Sequence, residues 1–327
     1  MSSAPPKSNK FRVTVGPESN RRPLAKPSPA KAGDRFRVRA PATTSNLGPG
    51  FDTFGLALTL ENEAVFDVSS RWEVAISGEG AGALPTDQTN LIARACALGL
   101  EAWGSTLKAR ITCTNRIPLG RGLGSSAAAI VTGLAGAACL SGRNPGRDAI
   151  LELALRLEPH PDNLAACLWG AFTIAAPPYV ATLPWPDTIR VVAAIPDFAV
   201  ETARARQLLP PAVSMADAVH NVARAAALAA AIASDSAIPA WAFDDRFHQD
   251  CRAPLVRAWP AARDAAIGAG ALGAAISGSG PTIVAFTQSH VAEIGKELIE
   301  AFRRVGARAR VLELGAAAGA SWGSGEK

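Results

Sequence analysis

A chain of 327 residues, 48% hydrophobic and 19% charged, is long enough for two globular domains and has the composition of neither a disordered nor a fibrous protein. Its net charge of +5 is concentrated at the amino terminus, where residues 1–35 hold eight of the 33 Lys and Arg but two of the 28 Asp and Glu. The rest is close to neutral, which removes the electrostatic ground for a nucleic-acid partner, since such binding draws most of its affinity from phosphate neutralisation.

Five scattered cysteines, Cys96, Cys113, Cys139, Cys167 and Cys251, form no CxxC pair. They read as free thiols of a reducing compartment, with a cytoplasmic location expected and neither disulfide nor zinc site. The most apolar run, Ser125 to Leu140, is too short to span a membrane and contains Gly133 and Gly136. Residues 1–34, rich in Pro, Ser and basic side chains around no apolar centre, read as a disordered basic tail.

Alternation of Phe36, Val38 and Ala40 with Arg35, Arg37 and Arg39 predicts a first strand. A second follows, with Leu58, Leu60, Ala64, Phe66 and Val68 on one face; Asn62 breaks that face and needs an internal bond or a ligand. Trp72, Val74 and Ile76 continue the strands, the spacing over 90–103 predicts a helix, and Ile111 to Pro118 is extended again. Ala-rich sequence after residue 125 favours a buried helix, and further helices are expected at 148–157 and from Leu164. Four prolines in 177–187 (PPYVATLPWPD) mark the expected domain boundary. Beyond it come a strand at 190–195, a helix at 215–234, strand signals flanking 277–282, a helix at 291–305 and a strand near Val311. The mixture is α+β, expected as two α+β sandwiches packed side by side over 35–184 and 185–316 with a flexible tail at 317–327.

Three segments carry more polar groups and glycines than chain reversal needs: PATTSNLGPGFD at 41–52, PLGRGLGSSAA at 118–128 and ISGSGPT at 276–282. In the middle one, Gly120, Gly122 and Gly124 let the backbone approach a ligand, and Ser125 and Ser126 open a helix whose free N–H groups favour anions. It lacks the Lys of a Walker loop. Taken singly, each segment reads equally well as a Gly-rich turn.

Taken together with EPHPDN at 158–163 and TARARQLLP at 202–210, they resemble the GHMP small-molecule kinases over about residues 36–315, and more narrowly the homoserine kinase branch. The resemblance implies an amino-terminal domain like ribosomal protein S5 domain 2, a ferredoxin-like carboxy-terminal domain, and ATP-dependent phosphorylation of the L-homoserine hydroxyl, a step in threonine biosynthesis. It implies ATP held by Pro118, Leu119, Gly120, Arg121, Gly122, Leu123, Gly124, Ser125, Ser126 and Ala127, with Asn62 near the adenine and Mg2+ on Ser126 and Glu158. It places the substrate on Asn46, Asp52, His160, Thr202, Arg206 and Arg252, where a carboxylate suits the ammonium and arginine forks suit the carboxylate. Asp52, Asn163 and Arg206 are the catalytic candidates, with Asp162 beside Asn163; a phosphate oxygen is the alternative proton acceptor. Asn46, Asp52 and Asp162 read otherwise as turn formers or a helix cap. Pro159 stands where the family commonly has glycine. A homodimer is implied at family level. The alternatives are a GHMP kinase for mevalonate, a sugar or an isoprenoid precursor, and a GHMP-fold sensor without turnover.

Overall fold

The computed structural model describes residues 28–324; most of the expected amino-terminal tail and the last three residues lie outside it. The chain runs β1 (Arg35–Ser45), β2 (Phe54–Ser69), β3 (Glu73–Gly78), α1 (Leu91–Ala102), β4 (Lys108–Asn115), α2 (Ser125–Ser141), α3 (Gly146–Ala154), α4 (Pro161–Trp169), β5 (Phe172–Ala176), β6 (Tyr179–Leu183) and β7 (Arg190–Pro196). It continues through α5 (Thr202–Gln207), α6 (Met215–Ala233), a 3-10 turn at Ala240–Phe243, α7 (Gln249–Arg252), α8 (Trp259–Gly268), β8 (Gly273–Ile276), β9 (Ile283–Thr287), α9 (Val291–Arg304), β10 (Ala309–Leu314) and β11 (Ser321–Ser324).

A larger sheet runs β11-β1-β2-β4-β3, with β5 and β6 branching from β2, and a smaller one runs β10-β7-β9-β8. The branch follows from the length of β2: its first residues pair with β5 and its last with β4, on either side of a register shift at Pro41/Ala42. Behind the larger sheet, α2 is buried from Ala127 to Ala138 almost without interruption, which its small side chains allow because α1 and β1 press against it closely. On the smaller sheet, α9 buries Ile294, Leu298, Ala301 and Phe302, at roughly 1.5–3 kcal/mol for each large apolar side chain.

Apart from β11, the strands of the larger sheet end at Leu183, and those of the smaller begin at Arg190, so we retain a domain boundary near 184/185 as our proposal. Aromatic side chains cross it: Phe172, Trp185, Phe286 and Phe243 follow one another at centroid distances of 6.2, 5.5 and 4.8 Å. Both layers therefore share core contacts, which fixes the cleft between them.

Three expectations change. The proline-rich 177–187 segment holds β6, which among the described residues pairs with β5 alone; an edge strand tolerates flanking prolines where a central one would not. The fourth helix starts at Pro161, three residues before the expected Leu164, with proline in its first turn. The stretch expected as a flexible tail from residue 317 is instead ordered through residue 324, with β11 antiparallel to β1. Among the described residues no helix is long and apolar enough to cross a membrane.

Candidate active site

The three glycine-rich segments meet. Ser277 in the third donates to the Gly122 carbonyl of the second at 2.6 Å and accepts from the Thr44 hydroxyl of the first at 2.9 Å, and the Thr43 amide donates to Leu123 O at 3.1 Å. Gly124 sits at the N-terminus of α2 with φ 69° and no side chain caps the helix. The amides of Ser125, Ser126 and Ala127 therefore precede its first helical bond, from Ala128 N to Gly124 O. Such an end attracts anions.

Beside it lies a cavity of about 340 Å³ lined by Ile76, Leu84, Pro85, Leu91, Asn62 and Ser126 among others. Asn62 resolves its sequence puzzle in two ways: it lines this cavity, and its Oδ1 accepts from the amides of Arg116 and Ile117 at 2.7 and 3.0 Å. Ser126 Oγ donates to Glu158 Oε2 at 3.4 Å, and Glu158 Oε1 meets His160 Nδ1 at 2.5 Å. A hydroxyl and a carboxylate at a helix N-terminus are a fitting pair for a hard, oxygen-preferring cation that also bridges phosphates.

Across from this end, the 46–52 turn presents Asp52 with φ 54°, its amide bonded by Asn46 Oδ1 at 3.0 Å. Asn46 Nδ2 in turn donates to Gly278 O at 3.0 Å, so Asn46 is occupied as a brace. Asp52 pairs with Arg206 of α5 at 2.5 Å. Arg252 is 2% exposed; it donates to Gly278 O at 2.8 Å and lies 3.1 Å from His248 Nδ1. Both guanidinium carbons lie 5.5 Å from the Phe51 ring. Burial first, and the neighbouring Arg206 charge next, push the Arg252 pKa down to about 10. It is still a cation at neutral pH, and the Nε atoms of Arg206 and Arg252 are buried without partners. Two such cations with free donors are set to receive a carboxylate. Thr202 and Ser279 hydroxyls face one another at 3.3 Å at the same mouth.

Some candidates are placed differently from their expected roles. Arg121 spends its side chain on the carbonyls of Leu119, Pro196 and Asp197, so it ties the loop to β7 and lines a separate cavity. Leu123 and Ala127 are buried in the core and Pro118 is buried too, so of these three only backbone can reach a ligand, whereas Leu119 lines the cavity beside Asn62. Asn163 accepts from Thr43 Oγ1 at 2.7 Å and donates to Ser45 Oγ at 2.9 Å, which makes it a strut between the first segment and α4. Asp162 is buried, and burial raises its pKa, but its Oδ1 already accepts from the Asn163 amide.

Sequence reasoning missed Phe51, Asn221, Asp245 and His248. Asp245 accepts from the amides of Phe247, His248 and Gln249 and from Asn221 Nδ2, and Asn221 reaches Pro49 O at 3.4 Å. The spacing of His248 four residues before Arg252 was the available signal, since such residues share a helix face.

The description of the GHMP kinases N terminal domain fits residues 90–171 and that of GHMP kinases C terminal fits 217–304. Homoserine kinase of Moorella thermoacetica is 39% identical over 283 residues, covering 85% of this chain and 96% of its own. The chain belongs to the GHMP kinase family. Homoserine kinase of Synechococcus sp. is 42% identical over 79% of this chain and 88% of its own. The crystal structure of homoserine kinase from Cytophaga hutchinsonii superimposes with a TM-score of 0.80 at 29% identity, over 90% of this chain and 98% of that one. A mevalonate kinase at 11% identity and TM-score 0.58 shares the fold alone. As a GHMP kinase this protein uses ATP as its phosphoryl donor.

His248 gives this kinase a pH signature. Burial first, with the Arg252 charge against and Asp245 partly offsetting, pushes its pKa down to about 4. An unfolded imidazole takes up a proton near pH 6.5, so between about pH 6.5 and 4 unfolding binds a proton and stability falls by roughly 3 kcal/mol from this group. Urea unfolding at pH 7.5 and 4.5 checks this: His248→Gln loses less stability between the two than wild type.

Proposed function

We propose that the protein transfers the γ-phosphoryl group of ATP to the hydroxyl of L-homoserine, a step in threonine biosynthesis. The observation that carries the reading is that Arg206 and Arg252 keep unpartnered Nε donors beside the Asp52 carboxylate, which pairs with Arg206: a cationic clamp next to an anion suits the carboxylate and ammonium of an amino acid. Mevalonate offers a carboxylate but no ammonium for Asp52. Relatives named homoserine kinase at 39–42% identity support the same assignment.

The nucleotide base enters the apolar cavity beside Asn62, and the α2 amides together with the 120–124 backbone hold the phosphates. Ser126 and Glu158 would hold Mg2+, which supplies cancellation of phosphate charge. Phosphoryl transfer needs positioning and charge stabilisation more than covalent chemistry. Here Asn46 braces Asp52, Thr202 lies at the substrate mouth, and Asp52, Arg206 and Arg252 hold the acceptor so that its hydroxyl faces the α2 end. His160, bonded to Glu158, orients that carboxylate. With Asn163 occupied and Asp162 bonded to its neighbour's amide, we assign no side-chain base; a γ-phosphate oxygen takes the hydroxyl proton. The free cysteines fit a cytoplasmic location.

A coupled ADP-release assay with Mg2+ and ATP compares L-homoserine, mevalonate, galactose and L-serine. Turnover with homoserine, reduced on the order of a hundredfold or more in Asp52→Ala, is expected. Turnover with another acceptor alone overturns the substrate; no turnover with any favours a ligand sensor.

A further inference from the structure

His248 is a buried side chain that touches both halves of the proposed acceptor site. It stands at the start of α7, 1% exposed. Its Nε2 lies 2.9 Å from Gly48 O, on the turn that carries Asp52, and its Nδ1 lies 3.1 Å from Nη1 of Arg252. A guanidinium only donates and a carbonyl only accepts, so the ring must carry its proton on Nε2 and offer the lone pair of Nδ1. Its face packs on Phe51 at a centroid distance of 5.2 Å, the same ring that flanks both arginines. Asp245 fixes the backbone at this point by accepting from the His248 amide at 2.9 Å.

Resting on the homoserine reading, we propose that His248 is a positioning residue for the acceptor. As a neutral Nε2–H imidazole it takes one donor of Arg252, fixes the fork's rotation and ties it to the Gly48 turn, so that the remaining donors face the substrate carboxylate. Among the described residues no carboxylate hydrogen-bonds Arg252 to aim it: its other acceptor is the Gly278 carbonyl. Both bonds use Nη1, one hydrogen to His248 Nδ1 and one to Gly278 O; a planar fork with that nitrogen tied in two directions cannot swing freely, which leaves Nη2 and Nε for a carboxylate at one distance from Asp52.

The test is a double-mutant cycle on the full chain. Gln places an amide nitrogen near the Nε2 position, keeping a donor for Gly48 while removing the Nδ1 acceptor. His248→Gln alone is expected to raise KM for L-homoserine roughly tenfold with KM for ATP within about twofold, the loss of one bond to a charged group. In an Arg252→Ala background the same change is expected to add less than about twofold, because the residue it acts through is gone. Independent, multiplicative effects, or an equal rise in KM for ATP, overturn the proposal and leave His248 a general packing residue. The 15N signals of the imidazole give a second reading that needs no turnover: a proton fixed on Nε2 at pH 6 supports the assignment, and a protonated ring or Nδ1–H form overturns it. Failure of wild type to use homoserine, with the imidazole as stated, counts against the substrate and not against His248.

Discussion

Arg252→Ala is expected to lower kcat/KM for L-homoserine by on the order of a thousandfold, about 4 kcal/mol, the upper range for truncating a buried, hydrogen-bonded charge. The guanidinium is almost wholly enclosed, so its removal takes away the carboxylate clamp, leaves His248 Nδ1 without its donor and leaves Gly278 O with the Asn46 side-chain amide alone. Both losses fall on the acceptor side of the cleft. Steady-state kinetics with each substrate varied should therefore show KM for ATP changed by no more than about threefold. Arg252→Lys is not a mild substitute, because a point-like ammonium cannot reach both acceptors and still present a flat pair of donors. A fall in kcat/KM for ATP equal to that for homoserine would mean that Arg252 holds the fold and not the acceptor.

Gly124→Ala is the corresponding change on the nucleotide side, with an expected loss of about a hundredfold in kcat/KM for ATP. The residue has φ 69°, a conformation that costs an L side chain roughly 1–2 kcal/mol. A Cβ there would overlap Thr43 Oγ1, whose hydroxyl is bonded to Asn163. Either Thr43 leaves Asn163, loosening the join between the first segment and α4, or the loop moves off the α2 end and the amides lose their aim. Gly306→Ala separates strain from contact: it shares the backbone conformation at φ 80° but nothing lies near its Cβ. It should cost comparable stability and leave both KM values unchanged. Equal kinetic effects of the two changes would sink the argument.

Much of this site was legible in the sequence because it is built from runs of neighbouring residues. The three glycine-rich segments, the Asn46 and Asp52 turn, and the arginine of TARARQLLP each carry their signal within about a dozen positions, and period-2 alternation marked β1 and β2 before any contact was known. What stayed hidden depends on tertiary pairing. Arg121 sits inside the phosphate loop by sequence, yet its partners Pro196 and Asp197 are some 75 positions away, so no local pattern tells a tether from a ligand. Asn163 likewise reads as a catalytic amide until Thr43 and Ser45 occupy it. The Asn221, Asp245 and His248 network supports the Gly48 turn from behind with single polar residues spread over 28 positions, each ordinary in isolation. β11, with the sequence Ser-Trp-Gly-Ser, lacks apolar alternation; it is a strand because β1 has a free edge to pair with.

The central claim is the identity of the bond that forms, between the γ-phosphorus of ATP and the acceptor hydroxyl of homoserine. A 31P spectrum recorded while the wild-type protein consumes ATP and Mg2+ in an equimolar mixture of L-homoserine and mevalonate reads it directly. The account predicts one new phosphomonoester, coincident with O-phospho-L-homoserine and growing in step with ADP. A resonance of phosphomevalonate, or ADP with inorganic phosphate and no monoester, would contradict it.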